Sequence, residues 1–434
     1  MKSDALINKL SEIHPKGFDL SLDRISDLLK KLGKPQNRLP PVIHVAGTNG
    51  KGSTLAFTRA ILEAQGYKVH VHTSPHLVNW HERYRLAGKL VSDDVLADAI
   101  QRVADANDDK PITVFELLSA VMFVLFSEHE ADFALVEVGL GGRFDATNVI
   151  PNPRVCAIAP VALDHQAYLG DTIEKIAFEK AGIIKKHVPV AVGRQQDSAR
   201  DTIEEVARKN GSSIVIGGQD FDAYRDATGF VYQDEDGLLD LPLPKLAGEH
   251  QLENAALAMA AIRLAGIEVS SQAFAKGMLS VTWPGRLEKL PSGKITKSFS
   301  DNADIWIDGG HNPSAGEAIS AELIRQNAGS NRKTLLICGM INTKEPFGYF
   351  KPFEALGVEV LTVPVAQSEA GIPPQELAEV AKSAGLETHS VGSLDEAITE
   401  ASNRHEKTPD MRILFCGSLY MVGEVLGMNE TLPQ

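Results

Sequence analysis

A glycine-rich turn between a short apolar strand and a helix limits most strongly what this chain can fold into. The apolar run VIHVAG (42–47) predicts a buried strand, TNGKGST follows it, and LAFTRAILEAQG predicts a helix that ends at Gly66. The alternating segment 68–74 predicts the next strand. A strand, a glycine turn, a helix and a second strand in this order indicate a βαβ unit in a parallel sheet.

The alternation of strands and helices continues along the chain and restarts after Pro284. In the first block, further strands are predicted at 131–142, 154–165 and 188–193, and helices at 19–32, 114–129, 171–186 and 252–266. The helix at 114–129 is apolar on most faces, which predicts a buried helix. The second block has strands predicted at 304–310, 333–340, 358–365 and 412–418, and it lacks a glycine-rich phosphate loop. These patterns predict an α/β protein of two domains, 1–284 and 285–434.

Composition excludes several classes of protein. Hydrophobic residues make up 43% of the 434 residues and charged residues 23%, which is typical of a globular protein with real cores. A formal net charge of −14 disfavours general binding to nucleic acid or to anionic membranes. The three cysteines, Cys156, Cys338 and Cys416, are isolated and predict neither a zinc site nor disulfides. Without a signal peptide or an apolar run of about 18 residues, we expect a cytoplasmic protein.

The turn GTNGKGS (47–53) has the composition and the context of a phosphate-binding loop. Glycines let backbone N–H groups turn toward phosphate oxygens, and the following helix N-terminus favours an anion. Lys51 would add positive charge at the β- and γ-phosphates, and Ser53 could offer its hydroxyl to Mg²⁺. The loop departs from the common G-x-x-x-x-G-K-[ST] form, because Gly52 separates Lys51 from Ser53. The alternative without a binding function is a glycine-rich turn with a solvated lysine.

Polar side chains at the predicted strand ends suggest a metal site. Glu137 ends one strand, Asp164-His165 ends the next, and Ser74 ends the strand at 68–74. Ligands gather at the carboxyl edge of open α/β sheets, and a carboxylate, an imidazole and a hydroxyl suit Mg²⁺ or Mn²⁺. The structural alternatives are a satisfied buried carboxylate at Glu137 and a structural histidine at His165.

Two further motifs allow a structural and a functional interpretation. Lys180 lies in the amphipathic helix at 171–186, where the pattern alone predicts a surface lysine. The segment DGGHNP (308–313) ends a strand of the second block. It is either a strand-to-helix turn or a second set of nucleotide contacts.

Taken together, these stretches resemble the folylpolyglutamate synthase/dihydrofolate synthase family of the ATP-dependent Mur ligase superfamily. The resemblance covers essentially the whole chain and keeps the family's order. Its stretches are HPKGFDLSLDRI, HVAGTNGKGST, TSPHL with HERYRL, EVGLGGRFDATN, LDHQAYLG, EKAGII, GEHQLENAA, WPGRLE, DGGHNP, CGMINTKE and CGSLY. It implies a P-loop-containing, Mur-ligase-like N-terminal domain with a mostly parallel sheet and a smaller Rossmann-like C-terminal domain.

The resemblance also implies a role for individual residues. Lys51, Lys180 and His165 would be catalytic, with Lys180 carried as a carbamate that steadies the metal cluster. Two Mg²⁺ ions are expected. The implied metal ligands are Ser53, Ser74, Glu137 and His165. The implied ATP contacts are Thr48, Asn49, Gly50, Lys51, Gly52, Ser53, Asn254, Arg286, Asp308 and His311.

For the substrate, the resemblance implies a pterin. The chain reads GGRFDATN, as bifunctional bacterial members do, so Asp145 would face the pterin amino groups. The other implied pterin contacts are Asp19, Leu20, Ser21, Thr113 and Phe115. Gly310 stands where many members carry alanine, a small departure beside Asp308 and His311.

The activity implied is an ATP-dependent amide ligase. Such an enzyme joins L-glutamate to dihydropteroate and further glutamates to reduced folates, by way of an acyl phosphate, and a monomer is expected. Because a carboxylate does not react with an amine at neutral pH, phosphorylation must first make it electrophilic, and phosphoryl transfer depends mainly on positioning and electrostatics. The alternatives are glutamate addition alone, a Mur-type ligase of cell-wall precursors, and a nucleotide-switch module without ligase activity.

Overall fold

The computed structural model describes residues 2–13, 21–227, 229–300, 303–330, 332–342, 344–366, 368 and 370–433. The chain divides into two units. The first consists of Met1–Lys245 and Gln251–Thr282, and the second of Leu246–His250 and Trp283–Gln434. The assignment of functional domains to 1–284 and 285–434 stays a prediction.

An eight-stranded sheet forms the centre of the first unit. Its strands in chain order are β1 (Val42–Ala46), β2 (Val69–His72), β3 (Tyr84–Leu86), β4 (Lys89–Leu90), β5 (Phe133–Glu137), β6 (Val155–Ile158), β7 (Val190–Val192) and β8 (Ile214–Ile216). Their order in the sheet is β4-β3-β2-β5-β1-β6-β7-β8. All pairs from β2 to β8 are parallel, and β3 pairs antiparallel with both β2 and β4. The predicted parallel sheet around the glycine-rich turn is confirmed.

Helices and a small antiparallel sheet complete this unit. The helices are α1 (Lys2–Ile13), α2 (Asp23–Lys31), α3 (Lys51–Gln65), α4 (Asp93–Asn107), α5 (Val114–Glu128), α6 (Gln166–Leu169), α7 (Ile173–Ala181), α8 (Asp197–Asn210), α9 (Glu249–Leu264) and α10 (Ser271–Ser280), with 3₁₀ turns at Pro35–Asn37, Trp80–Arg83 and Ala146–Val149. The antiparallel strands are β9 (Asp222–Arg225), β10 (Phe230–Asp234) and β11 (Gly237–Leu241). The sequence analysis assigned no element to this stretch.

Local sequence explains where α3 begins and ends and where α5 begins. Gly50 and Gly66 flank α3 with positive φ, which glycine adopts without a Cβ penalty. Thr113 and Glu116 form a capping box at the start of α5. From Glu116 to Phe126 every residue of α5 is buried, so the predicted buried helix is confirmed.

One strand is much shorter than predicted. The segment 154–165 was expected to be a strand with Asp164-His165 at its tip, but β6 ends at Ile158. Pro160 follows closely and has no N–H to donate to a sheet ladder. His165 therefore lies seven residues beyond the strand, at the start of α6, with φ of 51°. The prediction that it ends the strand is wrong.

The second unit contains a six-stranded sheet. Its strands are β12 (Glu288–Lys289), β13 (Asp304–Ile307), β14 (Thr334–Cys338), β15 (Glu359–Thr362), β16 (Glu387–Ser390) and β17 (Arg412–Cys416), in the order β12-β13-β17-β14-β15-β16. All pairs are parallel except β12 with β13. Its helices are α11 (Pro313–Gln326), α12 (Pro346–Phe350), α13 (Pro374–Ser383), α14 (Leu394–Lys407) and α15 (Leu419–Met428), with 3₁₀ turns at Thr296–Ser298 and Lys351–Leu356.

Each unit has its own apolar core. In the first unit, one cluster packs α2, α4 and α5 with β1 and β5, and another packs α7 and α8 with β6 and β7. The second unit has a cluster that packs α11, α12 and α13 with β14, β15 and β17. Within the described residues, none of the helices is long and apolar enough to cross a lipid bilayer.

Candidate active site

The phosphate loop joins β1 to the first turn of α3. Lys51 is the first residue of α3, and Gly50 before it has φ of +86°. The amides of Thr48 and Asn49 donate to the Pro160 carbonyl at 3.0 and 3.3 Å, which ties this part of the loop to the segment after β6. The first-turn amides of a helix have no intrahelical acceptor, so this end of α3 is suited to bind an anion.

The carboxamide of Asn254 lies directly on the loop. A Cβ atom at Gly50 would overlap Asn254 Oδ1. Asn254 Nδ2 donates to Gln251 Oε1 at 3.1 Å, and both side chains are buried on α9. Residues three apart share one face of a helix, so Gln251 orients Asn254 against the loop. Gln251 was not singled out from the sequence, although a polar pair at this spacing on an alanine-rich helix is a detectable signal.

Lys180 is buried beside the loop. It is 4% exposed, and its Nζ donates to the Gly47 carbonyl at 2.8 Å. Burial, with a smaller contribution from the Lys51 charge, lowers the pKa of Lys180 to about 7, although Asp164 and Asp145 oppose the shift. The prediction from the helical pattern that Lys180 lies at the surface is therefore wrong. The amphipathic pattern of the helix could not reveal this burial, because the residues that cover Lys180 belong to the phosphate loop, which is distant in sequence.

Glu137 and Ser74 meet as predicted at the carboxyl edge of the sheet. Glu137 is the last residue of β5 and is 4% exposed. Its Oε2 accepts the Ser74 amide at 3.2 Å, and its Oε1 lies 3.9 Å from Lys51 Nζ. The structure therefore brings Lys51, Ser74 and Glu137 together. The His165 ring, which is 38% exposed, has its Nε2 3.9 Å from Asp164 Oδ1.

The chemistry of the predicted metal ligands fits a hard divalent cation. The described residues contain no group of three or more His, Cys, Asp and Glu side chains that could hold a metal ion. The predicted ligands include only one carboxylate and one imidazole, and the others, Ser53 and Ser74, are hydroxyls. The buried Glu137 carboxylate already faces a positive group in Lys51. Such a set suits Mg²⁺, which usually keeps several bonds to water and phosphate.

The residues predicted to bind a pterin lie at the start of α5, before α2 and in the turn after β5. A Cβ atom at Gly139 would overlap the Phe115 ring, so this ring packs directly on the backbone after β5. Thr113 begins the same helix as its N-cap. Ser21 lies before α2, where its hydroxyl accepts the Asp23 amide at 3.1 Å. Asp19 and Leu20 lie outside the described residues.

Asp145 is bound to its own loop more fully than the sequence suggested. Its Oδ1 accepts both the amide and the hydroxyl of Thr147, at 2.9 and 2.5 Å, and its Oδ2 accepts the Leu140 amide at 2.9 Å. Burial raises the pKa of the Asp145 carboxyl, while these hydrogen bonds oppose the shift. His44, on β1, lies 2.9 Å from the same Thr147 hydroxyl. Asp145 therefore braces the glycine-rich turn after β5, a role that was not predicted.

In the second unit, the DGGHNP segment folds around Asp308. Asp308 is 6% exposed and accepts the amides of Leu287 and Gly310 at 2.7 and 2.6 Å. Burial raises the pKa of the Asp308 carboxyl, and the charge of Arg286 opposes the shift. His311 Nδ1 lies 3.1 Å from the Gly309 carbonyl. Arg286, Asp308 and His311 thus belong to one local arrangement.

Comparison with known proteins decides the family. The model of the Mur ligase middle domain matches residues 45–262, and that of the dihydrofolate synthetase C-terminal domain matches 292–428. The dihydrofolate synthase/folylpolyglutamate synthase of Escherichia coli (strain K12) is 32% identical over 424 residues, which cover 97% of this chain and 94% of the relative. The chain belongs to the dihydrofolate synthase/folylpolyglutamate synthase family. It is therefore an ATP-dependent ligase of the Mur ligase type.

Solved structures of this family have the same fold. E. coli FolC in complex with DHPP and ADP superposes with a TM-score of 0.87 at 31% identity, covering 99% of this chain and 97% of that one. The Yersinia pestis bifunctional enzyme, complexed with AMPPNP and a Mn ion, has a TM-score of 0.84 at 27% identity and covers 98% and 97%. The predicted α/β class, with a Mur-ligase-like part on a mostly parallel sheet and a second α/β part, is thereby confirmed. The roles of the individual site residues stay predictions.

Proposed function

We propose that this ligase joins L-glutamate to 7,8-dihydropteroate and adds further glutamates to reduced folates, using ATP. The observation that carries the proposal is the convergence of Lys51, Lys180 and Glu137 at a phosphate loop, close to the turn that holds Asp145. Full-length similarity to enzymes of both names supports the same activity. The small-molecule substrates would be ATP, L-glutamate and a pterin acid.

The first step transfers the γ-phosphoryl group to the carboxylate of the pterin substrate. A carboxylate oxygen bonds to phosphorus, the bond to the β-phosphate oxygen breaks, and ADP leaves. The positive charge of Lys51 and the first-turn amides of α3 would stabilise negative charge on the transferring group. Asn254 would hold the loop in the conformation that Gly50 allows.

The second step forms the amide. The unprotonated α-amino group of glutamate attacks the acyl phosphate, the tetrahedral intermediate releases phosphate, and the nitrogen loses a proton. None of the bonds formed links the substrate to the enzyme, so these residues act by binding, orientation and charge. Arg286, Asp308 and His311, which belong to the second unit, are proposed as further nucleotide contacts.

Lys180 is proposed to carry a carbamate. Carbon dioxide reacts with an unprotonated amine, whose nitrogen bonds to the carbon and loses a proton, and a lysine with a pKa of about 7 is about half unprotonated at neutral pH. The product is an anion in place of a cation, beside Lys51 and the phosphate loop. Such an anion would balance the positive charge there and support the metal site.

Ser53, Ser74, Glu137 and His165 are proposed to hold Mg²⁺ together with the phosphates, with two ions expected. Bound there, Mg²⁺ would neutralise charge on the phosphate oxygens during transfer. The buried Glu137 carboxylate supports this assignment, because it lies within reach of both the Ser74 backbone and the loop lysine. We further propose that the protein acts as a cytoplasmic monomer, in keeping with its three buried free cysteines.

A two-acceptor assay tests the proposed function. The protein is incubated with ATP, Mg²⁺ and L-glutamate, and with either dihydropteroate or a reduced folate monoglutamate. ADP release with both acceptors, together with dihydrofolate from the first, is expected. Turnover with the reduced folate but not with dihydropteroate would show that the enzyme adds glutamate to folates and does not make dihydrofolate. ADP release that is the same without any acceptor would instead favour a nucleotide switch, and turnover only with a cell-wall precursor would favour that class of ligase.

A further inference from the structure

An ion pair between a buried glutamate and a half-buried arginine lies at the start of α5. Glu116 is 4% exposed at the head of a helix whose next ten residues are all buried and almost entirely apolar. Arg24, on α2, places Nε at 3.2 Å and Nη2 at 3.1 Å from Glu116 Oε2. Burying a charged pair costs desolvation free energy, so this pair calls for an explanation beyond the stability of the helix.

Capping of α5 does not require Arg24. A capping box needs only the two reciprocal bonds between Thr113 and Glu116, and both are present. Arg24 comes instead from a segment 92 residues earlier in the chain. Ser21, a predicted pterin contact, lies three residues before it. The pair therefore connects two parts of the chain that the family resemblance implies contact the pterin.

All donors converge on one oxygen of the Glu116 carboxylate. Oε2 accepts the amide and the hydroxyl of Thr113, each at 2.8 Å, in addition to the Arg24 guanidinium. The other oxygen, Oε1, is buried without a hydrogen-bond partner in the described part of the chain. The position of Glu116 is thus set by Arg24 on one side and by Thr113 on the other.

This arrangement determines what the Thr113 hydroxyl can offer to a ligand. A hydroxyl has one proton and two lone pairs. Its proton is directed to Glu116 Oε2, and one lone pair accepts the Glu116 amide at 3.2 Å. Thr113 is partly exposed, and two residues further on the Phe115 ring packs on Gly139. The remaining lone pair leaves the partly exposed Thr113 hydroxyl able to accept one further hydrogen bond.

We propose that Glu116, held by Arg24, is a positioning residue that fixes the Thr113 hydroxyl as an acceptor for an N–H donor of the pterin. A 2-amino-4-oxopteridine ring presents several N–H donors along one edge, so a fixed acceptor favours it over rings that present lone pairs there. The inference rests on the proposed function, because it takes a pterin as the ligand. It assigns a role to Arg24 and Glu116, neither of which was singled out from the sequence.

A double-mutant cycle on dihydropteroate binding tests the inference. The variants are Thr113→Val, Glu116→Met, which removes the acceptor oxygens at a similar side-chain size, and the double variant, and the dissociation constant is measured through the pterin fluorescence. Each single change should weaken binding about tenfold, as expected for one hydrogen bond. Because Glu116 acts through Thr113, the double variant should be no weaker than either single one. Thr113→Ser, which keeps the hydroxyl, should restore near-normal binding, and ATP affinity should change less than twofold.

Matched variants separate positioning from stability. Glu128, at the other end of α5, pairs with Arg102 on α4 at 2.8 Å, so Glu128→Gln removes an exposed ion pair on the same helix far from Thr113. It should leave dihydropteroate binding unchanged. If Glu116→Met does not fold, as judged from its thermal midpoint, Arg24→Gln replaces it in the cycle.

The outcomes distinguish the inference from the proposed function. Additive losses in the cycle, or equal losses of ATP and dihydropteroate affinity, overturn the positioning role while the proposed function stands. If the wild-type protein binds no dihydropteroate and releases no ADP with it, the proposed function fails, and the inference fails with it.

Discussion

Lys51 and Lys180 donate to the same backbone oxygen, the carbonyl of Gly47, at 3.2 and 2.8 Å. Two ammonium groups on one acceptor repel each other, and Lys180 is the more deeply buried of the two. The arrangement becomes electrostatically favourable if one of them loses its charge or is converted to an anion. The pair therefore links the phosphate loop to the proposed carbamate.

A carbamate at Lys180 predicts chemical rescue. Lys180→Ala should lower the rate by about 10² or more, because an anion that supports the site is removed. Formate, acetate or propionate at millimolar concentration should restore part of the activity by placing a carboxylate in the vacated space. Lys185→Ala is the matched control, since Lys185 is also partly buried and donates to a backbone carbonyl, that of Asn148, at 2.8 Å. Rescue in both variants, or in neither, would argue against the carbamate.

The lowered pKa of Lys180 also predicts a pH dependence of stability. Between about pH 7 and the ordinary lysine pKa of 10.5, the amine is neutral in the folded chain and protonated in the unfolded chain. The unfolded state then binds more protons, so the free energy of unfolding rises with pH in this window. Relative to Lys180→Met, wild-type protein should gain about 1 kcal/mol per pH unit there. Urea unfolding at pH 6 to 9, in buffers freed of carbon dioxide, measures the difference; a constant difference would contradict the burial of the amine.

Lys51 should be needed for phosphoryl transfer more than for folding. Its ammonium is placed at the phosphate loop, where charge develops on the transferring group, so Lys51→Ala should lower kcat by about 10² or more. Lys89→Ala, at an exposed position, serves as the control. The rate of ADP release at saturating ATP is the measurement. Near-normal turnover of the Lys51 variant would remove the loop from the mechanism.

Gly50 and Gly66 offer a matched pair for testing the role of Asn254. Both have positive φ, +86° and +105°, so alanine at either position should cost about 1 kcal/mol of stability. Only at Gly50 would the new Cβ overlap Asn254, whereas at Gly66 it meets nothing within 4 Å. Gly50→Ala should therefore raise the KM for ATP at least tenfold, and Gly66→Ala should leave it unchanged. A similar KM for ATP in the two variants would show that Asn254 does not shape the loop.

Much of the site could be predicted because its residues lie next to features that have a strong local signal. Glu137 follows an apolar strand, and Lys51 lies between a strand and a helix, so their proximity follows from the rule that parallel strands end at one sheet edge. The buried helix α5 was evident from its apolar residues. These inferences need only periodicity and topology.

Other features depend on long-range contacts that periodicity does not reveal. The burial of Lys180 is produced by a loop 133 residues earlier, and the bracing of Asp145 depends on the turn around it. The strand at 154–165 was overpredicted because its apolar run continues past Pro160, which ends the ladder. The antiparallel strands β9 to β11 are short and partly polar, with only a weak pattern of their own.

Asp145 provides the sharpest test of the substrate pocket, since it is both a predicted pterin contact and a brace for its own loop. Asp145→Ala leaves the Leu140 amide and the amide and hydroxyl of Thr147 without their acceptor, which should destabilise the protein by about 1–3 kcal/mol. If Asp145 also faces the pterin amino groups, kcat/KM should fall more for dihydropteroate than for tetrahydrofolate. Thr147→Val removes one of the bonds to Asp145 but keeps its carboxylate, so it isolates the effect of the brace. Equal losses with both acceptors in Asp145→Ala, matched by Thr147→Val, would mean that Asp145 supports the loop without contacting the pterin.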